Sequence, residues 1–125
     1  IIPVMREVLA INPEVRVIAS PWSAPAWMKT SDSLYSGSLR PEFEPVFADY
    51  LATYVEQYAA EGITIDYLSI QNEPAVTNTN YPVMEMGEFQ QLSIIRTLGP
   101  LLQERGFGDT EVLAYDFNYS AEWEA

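Results

Sequence analysis

Apolar residues along this chain alternate between two periods. In residues 1–11, Ile2, Met5, Val8 and Leu9 share one face of a helix that should end near Asn12-Pro13. Val15-Arg16-Val17-Ile18-Ala19-Ser20 is a short β-branched run of the kind found in buried strands. Across residues 42–61, Phe43, Val46, Phe47, Tyr50, Leu51, Tyr54, Val55 and Tyr58 step by three and one, which predicts a second helix and makes its tyrosines packing residues. Pro45 falls in the first turn of that helix, where backbone donors have no intrahelical partner, and Gly62 supplies its stop. Residues 63–70 read as a second strand, and Phe89, Leu92, Ile95 and Leu98 mark a third helix. Gly99-Pro100 should kink or restart that helix before Leu101-Leu102, because an interior proline removes a donor and clashes with the preceding turn. A third strand is expected over residues 111–115.

The order helix, strand, helix, strand, helix, strand implies an α/β protein with parallel strands joined by right-handed crossovers. Chemistry in such folds sits at the carboxyl ends of the strands. Those ends carry Ser20-Pro21-Trp22, Gln71-Asn72-Glu73-Pro74 and Tyr115-Asp116-Phe117-Asn118, whereas the opposite connections hold little but turn residues. A barrel and a doubly wound sheet both fit this asymmetry. Three strands cannot close a barrel, which takes eight strands and typically about 250 residues. No internal repeat, low-complexity tract or linker divides residues 1–125 into two domains.

Composition narrows the chemistry. A hydrophobic fraction of 48% with 13% aromatics marks globular material. The 18 acidic and 6 basic residues give a net charge of −12, which repels phosphate backbones and anionic lipids, so nucleic acid is not an expected partner. An acidic surface of this kind serves solubility. Without cysteine or histidine there is no disulfide, no thiolate metal site and no imidazole base, and acid–base chemistry rests on carboxylates, tyrosines or lysines. No apolar run approaches the roughly 20 residues of a membrane span, and no signal peptide is visible. Because the chain opens at Ile1 inside a helix, it is expected to be cut from something longer.

Glu73 is the leading candidate for catalysis. It lies just past a buried strand, between an amide and a proline, and Pro74 should push it out of the helical region into an extended conformation that projects its side chain into a cleft. A glutamate on a surface is more often a solvated charge. Asp116 and Asn118 suit a site equally with a helix cap, and Trp22 and Trp27 can form the wall of a site or a plug over the sheet, with Trp22 the better candidate for the site.

The segments from Ala19 to Thr30, Gly37-Ser38-Leu39, Gln71-Asn72-Glu73-Pro74 and Leu113-Ala114-Tyr115-Asp116 together resemble the third, fourth and fifth strand ends of family 30 of the glycoside hydrolases, the glucosylceramidase-like retaining enzymes. Asn-Glu-Pro alone recurs across a wider clan of barrel glycosidases; the tryptophan-proline segment narrows the match to this family. The resemblance implies about half of a (β/α)8 TIM barrel, strands 3 to 5 with their helices, forming part of a catalytic domain. It implies a retaining hydrolase of β-glucosidic bonds, glucosylceramidase-like, working by double displacement between two carboxylates about 5–5.5 Å apart. Glu73 would be the acid/base, Asn72 the partner of the sugar 2-hydroxyl, and Trp22 the wall or floor of the terminal sugar site, with Trp27, Asp116 and Asn118 also on the substrate. The nucleophile, a glutamate at the end of the seventh strand in the family, matches no position here, so the isolated chain is expected to be inactive and to fold poorly.

The expected partner is a β-glucoside, a glycolipid or a glucan, with no metal or organic cofactor implied. The family also suggests a secreted or lysosomal setting. A β-1,6-glucanase or xylanase of the same family, and a carbohydrate-binding pseudoenzyme, remain open. Four positions depart from the family pattern: Ala24 for proline, Asp32 within an asparagine-glycine stretch, and Phe117 and Tyr119 for histidine and tryptophan.

Overall fold

Three strands form a parallel sheet in the order β1-β2-β3 in the computed structural model, which describes residues 1–118. Helix α1 (Ile2–Ile11) precedes β1 (Ile18–Ala19), α2 (Glu44–Ala60) joins β1 to β2 (Tyr67–Ser69), and α3 (Glu88–Glu104) joins β2 to β3 (Glu111–Leu113). Ile18 pairs with Tyr67 and Ala19 with Leu68, while Tyr67, Leu68 and Ser69 pair with Glu111, Val112 and Leu113. All three strands are shorter than the apolar runs predicted. β1 and β3 are edges paired on one side only, and beyond the ladder single bonds take over, such as Ile70 N–H to the Leu113 carbonyl at 3.2 Å.

Helices cover one face of the sheet. Ala19, Leu68 and Ile70 lie in the core with Phe47, Leu51, Val55, Ile94 and Leu98. Alternation sends their strand neighbours to the other face, where Ile18 is 63% exposed. One face covered by helices and a second left partly open are what an arc cut from a barrel wall presents.

The helical elements exist where the periodicity puts them, but their buried faces are rotated. In α2 the small Ala48 and Ala52 are fully buried, letting α3 approach closely, and Val46 and Tyr50 turn outward. Tyr54 and Tyr58 do pack, ring on ring at 4.5 Å and against the core. In α3, Phe89 and Leu92 are exposed and Gln91 and Ile94 take the inner face. Gln91 belongs inside because its amide donates to the Met86 carbonyl at 3.0 Å and accepts from Tyr115 N–H at 2.9 Å. On α1, Ile2, Met5 and Leu9 pack against the core while Val8 faces out.

Pro100 does not break α3, which runs unbroken through it. Both Pro100 and Arg96, whose carbonyl loses its partner, are exposed, so water can satisfy that carbonyl while Leu98 and Leu102 hold the helix down on either side. Pro45 and Gly62 act as expected: the proline sits in the first turn of α2, and Gly62, at φ +79°, takes the left-handed conformation that ends it. No helix among the described residues is long and apolar enough to cross a membrane.

Candidate active site

The three strand ends are tied together beyond the sheet. Asn72 N–H donates to the Pro21 carbonyl at 2.9 Å, Asn72 bridges Asp116, and Glu73 N–H donates to the Asp116 carbonyl at 2.9 Å. Immediately afterwards the chain reverses through Pro74-Ala75, closing a turn in which Val76 N–H bonds the Glu73 carbonyl at 2.9 Å. Proline suits the second position of such a turn.

Glu73 is not extended, contrary to the proline rule. Its φ is +45°, in the left-handed region that residues other than glycine and asparagine seldom enter. The rule does exclude the right-handed helical region, but the bond to Asp116 on one side and the turn on the other leave no room for an extended residue. Tyr115, on the neighbouring strand end, also has a positive φ, +55°. Such conformations cost on the order of 1–3 kcal/mol each and gather at functional sites.

Trp22, Asn72, Glu73, Asp116, Phe117 and Asn118 line one cavity of about 350 Å³. Thus five of the six residues singled out from the sequence come together. Trp27 does not: it lies outside the cavity, edge-on to Phe43 at 5.3 Å, with its carbonyl accepting from Arg40 Nη1 at 3.3 Å. Of the departures from the family pattern, Ala24 is buried and Asp32 adopts φ +47° while pairing with Arg40 at 2.8 Å. Asp and Asn share this tolerance of the left-handed region. Tyr119 lies outside the described residues.

Within the cavity, Asn118 Nδ2 approaches Glu73 Oε1 at 3.4 Å, a loose contact that leaves the carboxyl open to a ligand. Asp116 is held by the Ser20 hydroxyl, which donates to its Oδ2 at 2.7 Å. Gln71 is 1% exposed and donates to the carbonyls of Trp22 at 3.0 Å and Asn72 at 2.9 Å, fixing the indole-bearing backbone against the acid-bearing one. Tyr81, outside the cavity lining, meets Trp22 edge-on at 5.7 Å. Sequence reasoning missed Ser20 and Tyr81 because a hydroxyl and a loop aromatic carry no periodic or motif signal.

Chemically, the arrangement offers a carboxyl able to give or take a proton, a second carboxylate, two amides and an aromatic wall. No cluster of three or more histidine, cysteine, aspartate or glutamate side chains able to hold a metal ion occurs among the described residues.

Comparison with known proteins agrees with this geometry. Residues 1–121 match the glycosyl hydrolase family 30 TIM-barrel domain. An endo-1,6-β-D-glucanase of Aspergillus fumigatus is 32% identical over 87% of this chain and 25% of its own length. The lysosomal acid glucosylceramidase of Mus musculus is 31% identical over 92% of this chain and 24% of its own length. A solved endo-β1,6-glucanase superposes with a TM-score of 0.90 at 35% identity, covering 97% of this chain and 28% of that one. The chain thus spans about a quarter of the length of the relatives it matches. The three-stranded arc with its helices is part of a TIM-barrel domain, and the chain belongs to glycosyl hydrolase family 30.

Proposed function

We propose that this segment supplies the acid/base half of a retaining β-glycosidase, with Glu73 as the proton donor and acceptor. The observation that carries the reading is the Glu73 carboxyl at a strained strand end, sharing a cavity with Trp22 and Asn72. In the first half-reaction Glu73 protonates the leaving oxygen while a carboxylate from elsewhere in the barrel attacks the anomeric carbon. In the second, Glu73 takes a proton from the water that releases the sugar. Asn72 bonds the sugar 2-hydroxyl, a contact that strengthens as the ring flattens. Trp22 offers an apolar face to the pyranose, and Asp116 and Asn118 line the rim beside it.

The sugar proposed is β-linked glucose, and the aglycone in the first reading is a ceramide glycolipid. A second reading, a β-1,6-glucan, is favoured by the similarity in sequence and fold to endo-1,6-glucanases. A secreted or lysosomal setting is proposed from the family resemblance. Hydrolysis of glucosylceramide, a linear β-1,6-glucan and β-1,4-xylan by the full-length protein separates the substrates. The acid/base role is tested by Glu73→Gln on two aryl β-glucosides. Hydrolysis of the glucoside with the poorer leaving group should collapse, because only that one needs protonation. Equal rates for variant and wild type on both would overturn the assignment, and a full-length protein that binds glucosides without turnover would be the pseudoenzyme.

A further inference from the structure

Lys29 is the one cation that is wholly enclosed among the described residues, at 0% exposure. It follows a short 3-10 turn, Ala26–Met28, in the loop after β1. Its ammonium donates to Ser23 Oγ at 2.9 Å, the Leu34 carbonyl at 2.8 Å and the Val83 carbonyl at 2.6 Å. Three donors meet three acceptors, all neutral, and Lys29 forms no ion pair among the described residues. Burial alone pulls its pKa down to about 8, which shows how little else compensates the charge.

A charge enclosed at such cost invites a reason, and the identity of its partners supplies one. Ser23 directly follows Trp22, and Val83 comes two residues after Tyr81, so the ammonium joins the segment that carries Trp22 of the cavity to the segment that carries its edge-on neighbour Tyr81. The same loops are stitched further out by Val83 N–H to the Leu34 carbonyl at 3.2 Å, Glu85 N–H to the Gly37 carbonyl at 3.0 Å and Ser36 Oγ to the Asn78 carbonyl at 2.7 Å. At Gly37 the packing is so close that a Cβ would stand 2.8 Å from Ser31 Cβ. The Lys29 ammonium bonds both segments through one group.

We propose that Lys29 is a positioning residue for sugar recognition: its ammonium clamps the loops of Trp22 and Tyr81 so that the phenol holds the indole rigidly beside Glu73. This rests on the glycosidase reading for its functional half and on geometry alone for its structural half. Lys29 touches no substrate and moves no proton in the reaction. A fixed aromatic wall binds sugar in ground state and transition state alike, so loosening it raises KM more than it lowers kcat.

The test uses the full-length protein and two variants, Lys29→Met, which keeps the volume and removes the donors, and Ser23→Ala, which removes one acceptor and is milder should the first fold poorly. Amide hydrogen exchange is expected to rise at Trp22, Ser23, Tyr81 and Val83 of both variants and to stay unchanged at Leu68 in β2. On an aryl β-glucoside, Lys29→Met should raise KM by about tenfold with a smaller change in kcat, and Ser23→Ala should do so by less. In a Trp22→Ala background the effect of Lys29→Met on KM should vanish, which a merely structural role would not produce. Unchanged exchange in both variants overturns the clamp, and additive effects of Lys29 and Trp22 on KM overturn its role in recognition. If the full-length wild type hydrolyses no β-glucoside, the glycosidase reading fails, and the exchange data still decide the clamp.

Discussion

The two rims of the sheet handle buried polarity in opposite ways. At the amino-terminal rim, Asp66 accepts Val17 N–H at 2.8 Å and Arg16 Nη1 at 2.7 Å, and its carbonyl accepts Glu111 N–H at 2.9 Å. Every strand is stitched there through one carboxylate and its backbone. At the carboxyl-terminal rim, Glu73 and Tyr115 have left-handed backbones, and among the described residues Ser69 Oγ and Gln71 Oε1 are buried without a partner and Lys29 is enclosed without a counter-charge. One rim is satisfied and the other strained, and the strained one holds the cavity lined by Trp22, Asn72 and Glu73. Strain of this kind gathers where a fold retains it for a use other than stability.

The sharpest break of this contrast is Glu73→Gln, expected to lower turnover of a poor-leaving-group glucoside by about 10²–10⁴ in steady-state assays with stability little changed. At the other rim, Asp66→Ala should cost about 1–3 kcal/mol in denaturant unfolding of the full-length protein, because it leaves Val17 N–H without its acceptor, while kcat holds.

Titration sharpens the comparison further. The Asp66 pKa is lowered, chiefly by the Val17 backbone bond and then by the bond from Arg16, so its contribution is complete above the ordinary carboxylate pKa and lost as pH falls through the depressed value. Lys29 has the reverse character. Its folded pKa of about 8 lies below the ordinary 10.5, the unfolded chain binds the extra proton between those values, and stability should rise with pH across that window. Thermal unfolding from pH 8 to 10 should show this rise in the wild type and a flatter profile in Lys29→Met. A smaller effect comes from Glu73→Asn, which tolerates a positive φ and should gain about 1 kcal/mol of stability as activity is lost. Smallest is Trp27→Ala, expected to leave KM within about twofold while removing an edge-to-face contact with Phe43 worth about 1 kcal/mol.

Element type and order, the parallel topology and the gathering of Glu73, Asn72, Trp22, Asp116 and Asn118 at one rim were all legible in the 125 residues, because period, punctuation and motif are local properties of a chain. Which helix face turns inward was not. Gln91 displaces Leu92 from the core because Met86 and Tyr115 need its amide, and those partners are brought to it only by folding. The φ of Glu73 likewise depends on Asp116, distant in sequence, and the burial of Lys29 depends on three segments converging on one ammonium. Tertiary structure therefore decided every property that requires an acceptor or a neighbour supplied from another part of the chain, since the free energy of a buried polar group is set by its partners and not by its own type.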